Sequence, residues 1–318
     1  MFGVLSAASA HVASESVSGP ALNPADLHNP VWATKDYLRD PSVLKTKEGY
    51  LLFYSRFNHA LGPWNAANTW SIGCVFTRDF VHFENDHDIS PLSCASPGDC
   101  VFWHGRYLLP YQRYPLKPVE LCFSESGELK TWSAPKPFLT EALQLPWNKE
   151  HRGIDPSFVI EGDTLHCFFV GSAMVSDATG KETKANLLGH AITRDPLLKE
   201  WQILTPDQPL IGTSDRAPDG VENIMVFKTG NFWTMIFSEG LAHQHLARAT
   251  SPDLVNWTQS GPVAVPVQKW MAHRYGAPFV WPEGDGWMMI LMGEDANGKT
   301  TFGLLSSPDG KEWKILPE

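Results

Sequence analysis

The chain has 318 residues, 43% of them hydrophobic and 12% aromatic, with 13 Trp, 25 Gly and 25 Pro. That much aromatic surface offsets the entropy of ordering the chain, which excludes a disordered protein, and the length suits one large β or α/β domain or two smaller ones. No apolar run approaches the roughly 18 residues of a membrane helix, and 25 Lys and Arg against 35 Asp and Glu leave a formal net charge of -10, which repels a polyphosphate. Neither a membrane nor a nucleic acid is expected as a partner. A neutral polymer approaches an acidic cleft without that penalty, so the expected partner is an oligo- or polysaccharide. Nothing in the composition speaks to oligomeric state.

Residues 1–28 read as an N-terminal tail or extension and residues 29–318 as a single domain. The opening, MFGVLSAASAHVASE, has the Ala and Ser content of a trimmed signal remnant but no basic segment, so a secreted or periplasmic location and a cytoplasmic one stay equally open. Of the five Cys, Cys74, Cys122 and Cys167 lie inside apolar runs as buried thiols would, and Cys94 and Cys100 are left as a candidate pair.

In chain order, the first unit has short β-rich segments at 41–44 (PSVL), 50–55 (YLLFYS) and 71–76 (SIGCVF), with a Lys-Glu-Gly turn after the first. The same order returns at 156–160, 164–170 and 187–192, then at 223–227, 232–237 and 245–250, and again at 277–281, 287–292 and 301–306. Each set ends in a shared phrase of Ser or Thr, a polar pair and an aromatic residue: TRDFVHF (77–83), SESGELKTW (124–132), TRDPLLKEW (193–201), TSPDLVNW (250–257) and SSPDGKEW (306–313). The aromatic anchors Phe83, Trp132, Trp201, Trp257 and Trp313 are 49, 69, 56 and 56 residues apart. Repeats of this length, built from strand, tight turn, strand, loop and strand, predict an all-β, five-bladed propeller with four antiparallel strands per blade. An aromatic residue that returns in every unit serves packing between blades, since a site is needed only once.

The innermost strand of each blade lines the axis. Those strands are expected to begin at Asp40-Pro41, Pro97-Gly98-Asp99, Asp155-Pro156, Glu222-Asn223 and Ala277-Pro278, which places carboxylates of blades 1, 3 and 4 at one register. Glycoside hydrolysis needs one carboxyl to protonate the leaving oxygen and another to activate water or attack the sugar. Crowding of like charges keeps one of them protonated near neutral pH. Asp40, Asp155 and Glu222 are therefore the catalytic candidates.

Substrate contacts are expected from strand ends and loops on the same face: Arg56 and Arg113 as hydrogen-bonding forks, Arg152 just ahead of Asp155, and His245. Five Trp outside the blade strands (Trp32, Trp64, Trp70, Trp147, Trp270) are candidate stacking platforms for a sugar ring, with Trp70 and Trp147 foremost.

RDPSV around Asp40, GIDPSF around Asp155 and GVENI around Glu222 resemble the motifs of glycoside hydrolase family 43, a family of five-bladed propellers, and the likeness runs from about residue 30 to the end. The resemblance implies an inverting hydrolase of arabinofuranosidase, xylosidase or galactosidase type acting on a plant or algal glycan. Asp40 would be the base, Glu222 the acid and Asp155 the residue that tunes and orients the acid. It implies no required cofactor and no metal among the catalytic residues, with a structural calcium or sodium ion on the axis; the fifth-blade His that helps hold it would correspond to His273, a few residues displaced. Families 32 and 68, retaining fructan hydrolases with a WMNDPN-like motif, and family 117, which uses a His as acid and draws attention to His243 and His245, are the alternatives. A family 130 phosphorylase would need a basic pocket, for which Arg56 and Arg113 are the candidates. A carbohydrate-binding propeller without turnover is the reading from another class.

Overall fold

A computed structural model describes residues 19–176, 180–241 and 244–318. His243 lies outside the described residues. Five four-stranded antiparallel sheets follow one another along the chain, and in each the spatial order equals the sequence order.

Blade 1 holds β1 (Tyr37–Lys45), β2 (Tyr50–Phe57), β3 (Trp70–Thr77) and β4 (Phe83–Asp88), and blade 2 holds β5 (Val101–Trp103), β6 (Arg106–Gln112), β7 (Leu121–Ser126) and β8 (Lys136–Pro137). Blade 3 follows with β9 (Ile154–Glu161), β10 (Thr164–Ser176), β11 (Glu182–Thr193) and β12 (Gln202–Ile203), and blade 4 with β13 (Val221–Thr229), β14 (Phe232–Glu239), β15 (His245–Ser251) and β16 (Thr258–Pro262). Blade 5 contains β17 (Arg274–Glu283), β18 (Gly286–Glu294), β19 (Thr300–Ser307) and β20 (Lys314–Ile315). Inner strands β5, β9, β13 and β17 pack in succession, β1 packs against β17, and the Ser42 hydroxyl of β1 donates to the Gly98 carbonyl just ahead of β5.

The recurring phrase is a turn between third and fourth strands with one chemistry throughout. In blade 1, Thr77 Oγ1 accepts the Asp79 and Phe80 amides and Asp79 Oδ1 accepts those of Val81 and His82, at 2.7–3.2 Å. Ser251 and Asp253 repeat this in blade 4, and Ser307 and Asp309 in blade 5. Each turn passes through one left-handed residue, Phe80, Leu129, Leu198, Leu254 or Gly310, with φ between 56° and 72°. The side-chain acceptors satisfy the amides that this reversal removes from the ladder.

The anchors pack as expected. Trp132 meets Phe53 of blade 1 edge-on at 5.8 Å, and Trp257 meets Phe168 of blade 3 at the same distance. Apolar clusters between blades make up the core.

The ring is latched by the N-terminal segment. Asn29 donates to the Leu304 and Leu316 carbonyls and accepts the Leu304 amide, while Trp32 pairs with Phe302 of β19. Residues assigned above to a tail already belong to this body: the Leu22 amide donates to Glu283, the Tyr50 hydroxyl donates to the Pro20 carbonyl, and Leu27 is buried. Cys94 and Cys100 are both free and buried among apolar side chains, so the candidate pairing is not made.

Candidate functional site

Four of the five inner strands carry the same irregularity, and in blade 2 its counterpart, Ser96, lies just ahead of β5. In β1 the pairing with β2 jumps from Arg39–Ser55 to Ser42–Phe53, so Asp40 and Pro41 together face Tyr54 alone. β9, β13 and β17 repeat the bulge at 155–156, 223–224 and 277–278. Its first residue is left-handed in all five blades: Asp40, Ser96, Asp155, Asn223 and Ala277 have φ between 48° and 53°. Asp and Asn tolerate that region better than other residues with a Cβ, and a following Pro suits a bulge because it has no amide to leave unpaired.

This corrects the expected register. Asn223, not Glu222, is the fourth-blade equivalent of Asp40 and Asp155. Glu222 sits one residue earlier, in step with Arg39, Ile154 and Gly276. It nevertheless reaches the same place, because the cavity at the axis mouth, about 110 Å³, is lined by Asp40, Asp155, Glu222 and Asn223 together.

Asn223 ties the acids together. Its side-chain amide donates to Asp40 Oδ1 at 3.1 Å and its backbone amide to Asp155 Oδ2 at 3.3 Å. Asp40 Oδ2 accepts from the Ser55 and Ser96 hydroxyls at 2.8 and 3.1 Å. The Asp155 amide is held by Gln112 Oε1 at 2.8 Å. Glu222 takes the side-chain amides of Gln244 and, at 3.2 Å, Asn186, with the Arg39 guanidinium 3.5 Å away.

Burial, then the nearby Glu222 and Asp40 carboxylates, push the Asp155 carboxyl up to about 7. Burial also raises Glu222; Arg39 opposes the rise and Asp40 adds to it. The Asp155–Glu222 pair thus holds protons at a pH where free carboxyls are ionised.

Of the expected contacts, Trp70 and Arg152 line the cavity. Trp64 joins them, edge-on to Trp70 at 4.5 Å. Arg56, Arg113, Trp147 and His245 do not. Arg56 follows the cross-strand alternation away from the axis and is tied to Asp36, Asp86 and Asp88. Arg113 is one residue beyond Gln112, which lines the cavity in its stead. His245 Nε2 donates to the buried Glu239 carboxylate, 2.8 Å away, which also accepts from Arg216. Trp147 is a packing residue: its indole donates to the Thr205 carbonyl and lies over Gly171 and Gly189, where any Cβ would come within 2.7–2.8 Å of the ring. Trp270 occupies the same position over Gly293 and Gly303, and Trp32 packs on Phe83.

The sequence reading missed Arg39, Gln112, Tyr114, Asn186, Asn223 and Gln244. Arg39 and Asn223 had a visible signal, being the neighbours of the acids. The amide oxygens of Asn186, Asn223 and Gln244 are buried without a partner, three acceptors for hydroxyl groups beside the acids.

His273 is 61% exposed beside Glu294, and among the described residues no group of three or more His, Cys, Asp or Glu is arranged to hold a metal ion.

No family model matches the chain, and no curated protein matches it. Solved structures do. A thermostable family-43 glycoside hydrolase superposes with TM-score 0.67 at 13% identity, covering 92% of this chain and 96% of that one. The GH43_1 enzyme of Xanthomonas citri gives 0.63 at 13%, covering 90% and 92%. The catalytic domain of the Coprinopsis cinerea GH62 alpha-L-arabinofuranosidase gives 0.61 at 13%, covering 90% and 95%. At this identity the likeness is one of architecture, and the architecture is the five-bladed propeller of the family 43 and family 62 glycoside hydrolases.

Proposed function

We propose that the protein is a glycoside hydrolase that cleaves a plant or algal glycan with inversion. The observation that carries this reading is the cavity at the axis mouth, where Asp40, Asp155 and Glu222 meet with Asn223 linking two of them. Glu222, raised by burial, keeps the proton that the glycosidic oxygen needs on departure. Asp40, oriented by Ser55, Ser96 and Asn223, accepts a proton from the attacking water. Asp155, pushed up by burial and by the nearby Glu222 and Asp40 carboxylates, shares protons with Glu222 as one titrating pair. Trp64, backed by the buried Trp70, offers the apolar wall on which a sugar face stacks.

The structural neighbours include an arabinofuranosidase and one enzyme solved with xylose and again with xylotriose, which supports a pentose-containing substrate. A panel of aryl arabinofuranosides, xylosides, galactosides and fructosides tests the activity, and NMR of the first product anomer tests inversion. Turnover of none of them, nor of aryl glucuronides and galacturonides, overturns the enzymatic reading. Initial retention moves the mechanism to the fructan-type alternative.

A further inference from the structure

Two guanidinium groups line the acidic cavity, in a chain whose formal net charge is -10. Cations that hold the fold together are matched by carboxylates: Arg56 by Asp36, Asp86 and Asp88, Arg216 by Glu239, Arg274 by Glu294. Arg152 is different. Among the described residues no carboxylate lies within ion-pair distance of it, and its guanidinium donates only to the Ser172 hydroxyl at 3.3 Å. Arg39 reaches Glu222 at 3.5 Å, yet its Nε is buried with no partner.

A half-buried guanidinium with unmatched charge and donors costs folding free energy, because lost hydration is not replaced. A ligand carboxylate replaces it, and the planar fork of Arg takes both oxygens at once. The charge balance points the same way. When Glu222 carries the proton of a catalytic acid, the two cations face only Asp40 and Asp155. Burial holds Asp155 up to about 7, so below that pH the cations are in excess.

We propose that the glycan is acidic and that a uronate carboxylate sits between Arg152 and Arg39. This rests on the reading of the site as that of a glycoside hydrolase and names its substrate class. The ring bearing the carboxylate would lie against Trp64.

Binding without turnover tests it. The Asp40→Asn variant, checked for folding by its thermal melt, is titrated calorimetrically with methyl glucuronoside and galacturonoside and with the neutral methyl glucoside, galactoside and xyloside. The uronosides are expected to bind roughly tenfold to a hundredfold more tightly, as a charged hydrogen-bonded pair provides, with the advantage shrinking as salt is raised. Adding Arg152→Gln should remove most of that advantage, and Arg152→Lys should keep part of it. Equal or tighter binding of the neutral sugars, no uronoside binding at millimolar concentration, or a preference untouched by Arg152→Gln overturns the proposal. Inorganic phosphate is titrated in parallel. If it displaces the uronosides and the wild-type enzyme then forms a sugar phosphate from an aryl glycoside, the anion is a free co-reactant and the uronate is rejected. Hydrolysis of neutral glycosides without uronoside binding rejects this inference alone. Uronoside binding by a protein that cleaves no glycoside rejects the enzymatic reading alone.

Discussion

The side-chain amide of Asn223 donates to Asp40 Oδ1 across 3.1 Å, joining blades 4 and 1 over the propeller axis. Its own amide nitrogen reaches Asp155, so one residue between two acids sets their separation. Asn223→Gly keeps the backbone donor and relieves a left-handed φ of 52°, whereas Ala would add strain of roughly 1–2 kcal/mol there. Loss of one hydrogen bond to a charged group predicts a fall in kcat of about tenfold to a hundredfold with the thermal midpoint nearly unchanged. Activity within twofold of wild type would show that the bridge does not matter to catalysis.

Glu222→Gln and Asp40→Asn should each lower hydrolysis of an aryl glycoside by at least about a thousandfold, the scale of losing a general acid or base. Both changes preserve shape and side-chain hydrogen bonding, so circular dichroism and melting should stay near wild type. Substantial activity in either removes that residue from the assignment.

Asp155 makes stability depend on pH. Its carboxyl titrates near 4 when unfolded and at about 7 in the folded chain. Between those values the folded state holds a proton that the unfolded state has released, so this stabilisation is full at low pH and is lost as pH rises through 7. Asp155→Asn should therefore raise the melting temperature more at pH 8 than at pH 5, while lowering activity. An equal shift at both pH values would contradict a raised pKa.

His166 and His190 act in the opposite sense. They stack in blade 3 with ring nitrogens 3.0 Å apart, and burial lowers His166 to about 4 and His190, with His166 adding to the effect, to about 3. Unfolded histidines titrate near 6.5. Stability is complete above that pH and falls as pH drops toward 4. Chemical denaturation of His190→Gln between pH 4 and 7 should give a flatter acid limb than wild type; an unchanged limb would place the acid sensitivity elsewhere.

Trp64 and Trp147 separate binding from packing. Trp64→Ala opens one wall of the cavity and should raise KM several-fold. Trp147→Ala empties the space over Gly171 and Gly189 and should cost about 3–5 kcal/mol of stability while leaving KM of the remaining folded enzyme unchanged. A KM effect from Trp147 and none from Trp64 would reverse these roles.

The blade count, the strands and the packing role of the anchors follow from the amino-acid order alone, because a turn that needs Ser or Thr, then Asp or Glu, then an aromatic recurs wherever a third strand meets a fourth. The Asp-Pro pairs mark the bulges inside β1 and β9 and not, as expected, the strand starts, since a bulge with a left-handed first residue favours that pair. Tertiary structure decided the rest. Strand alternation turns Arg56 toward β4 and leaves Gln112, not Arg113, at the cavity. The bulge puts Asn223 where Glu222 was expected, yet leaves Glu222 at the cavity. Asn186 and Gln244 meet Glu222 from strands and loops whose positions only ring closure defines. Local sequence sets φ, ψ and turn chemistry. Which side chains converge on the axis depends on a one-residue register step repeated around a closed ring.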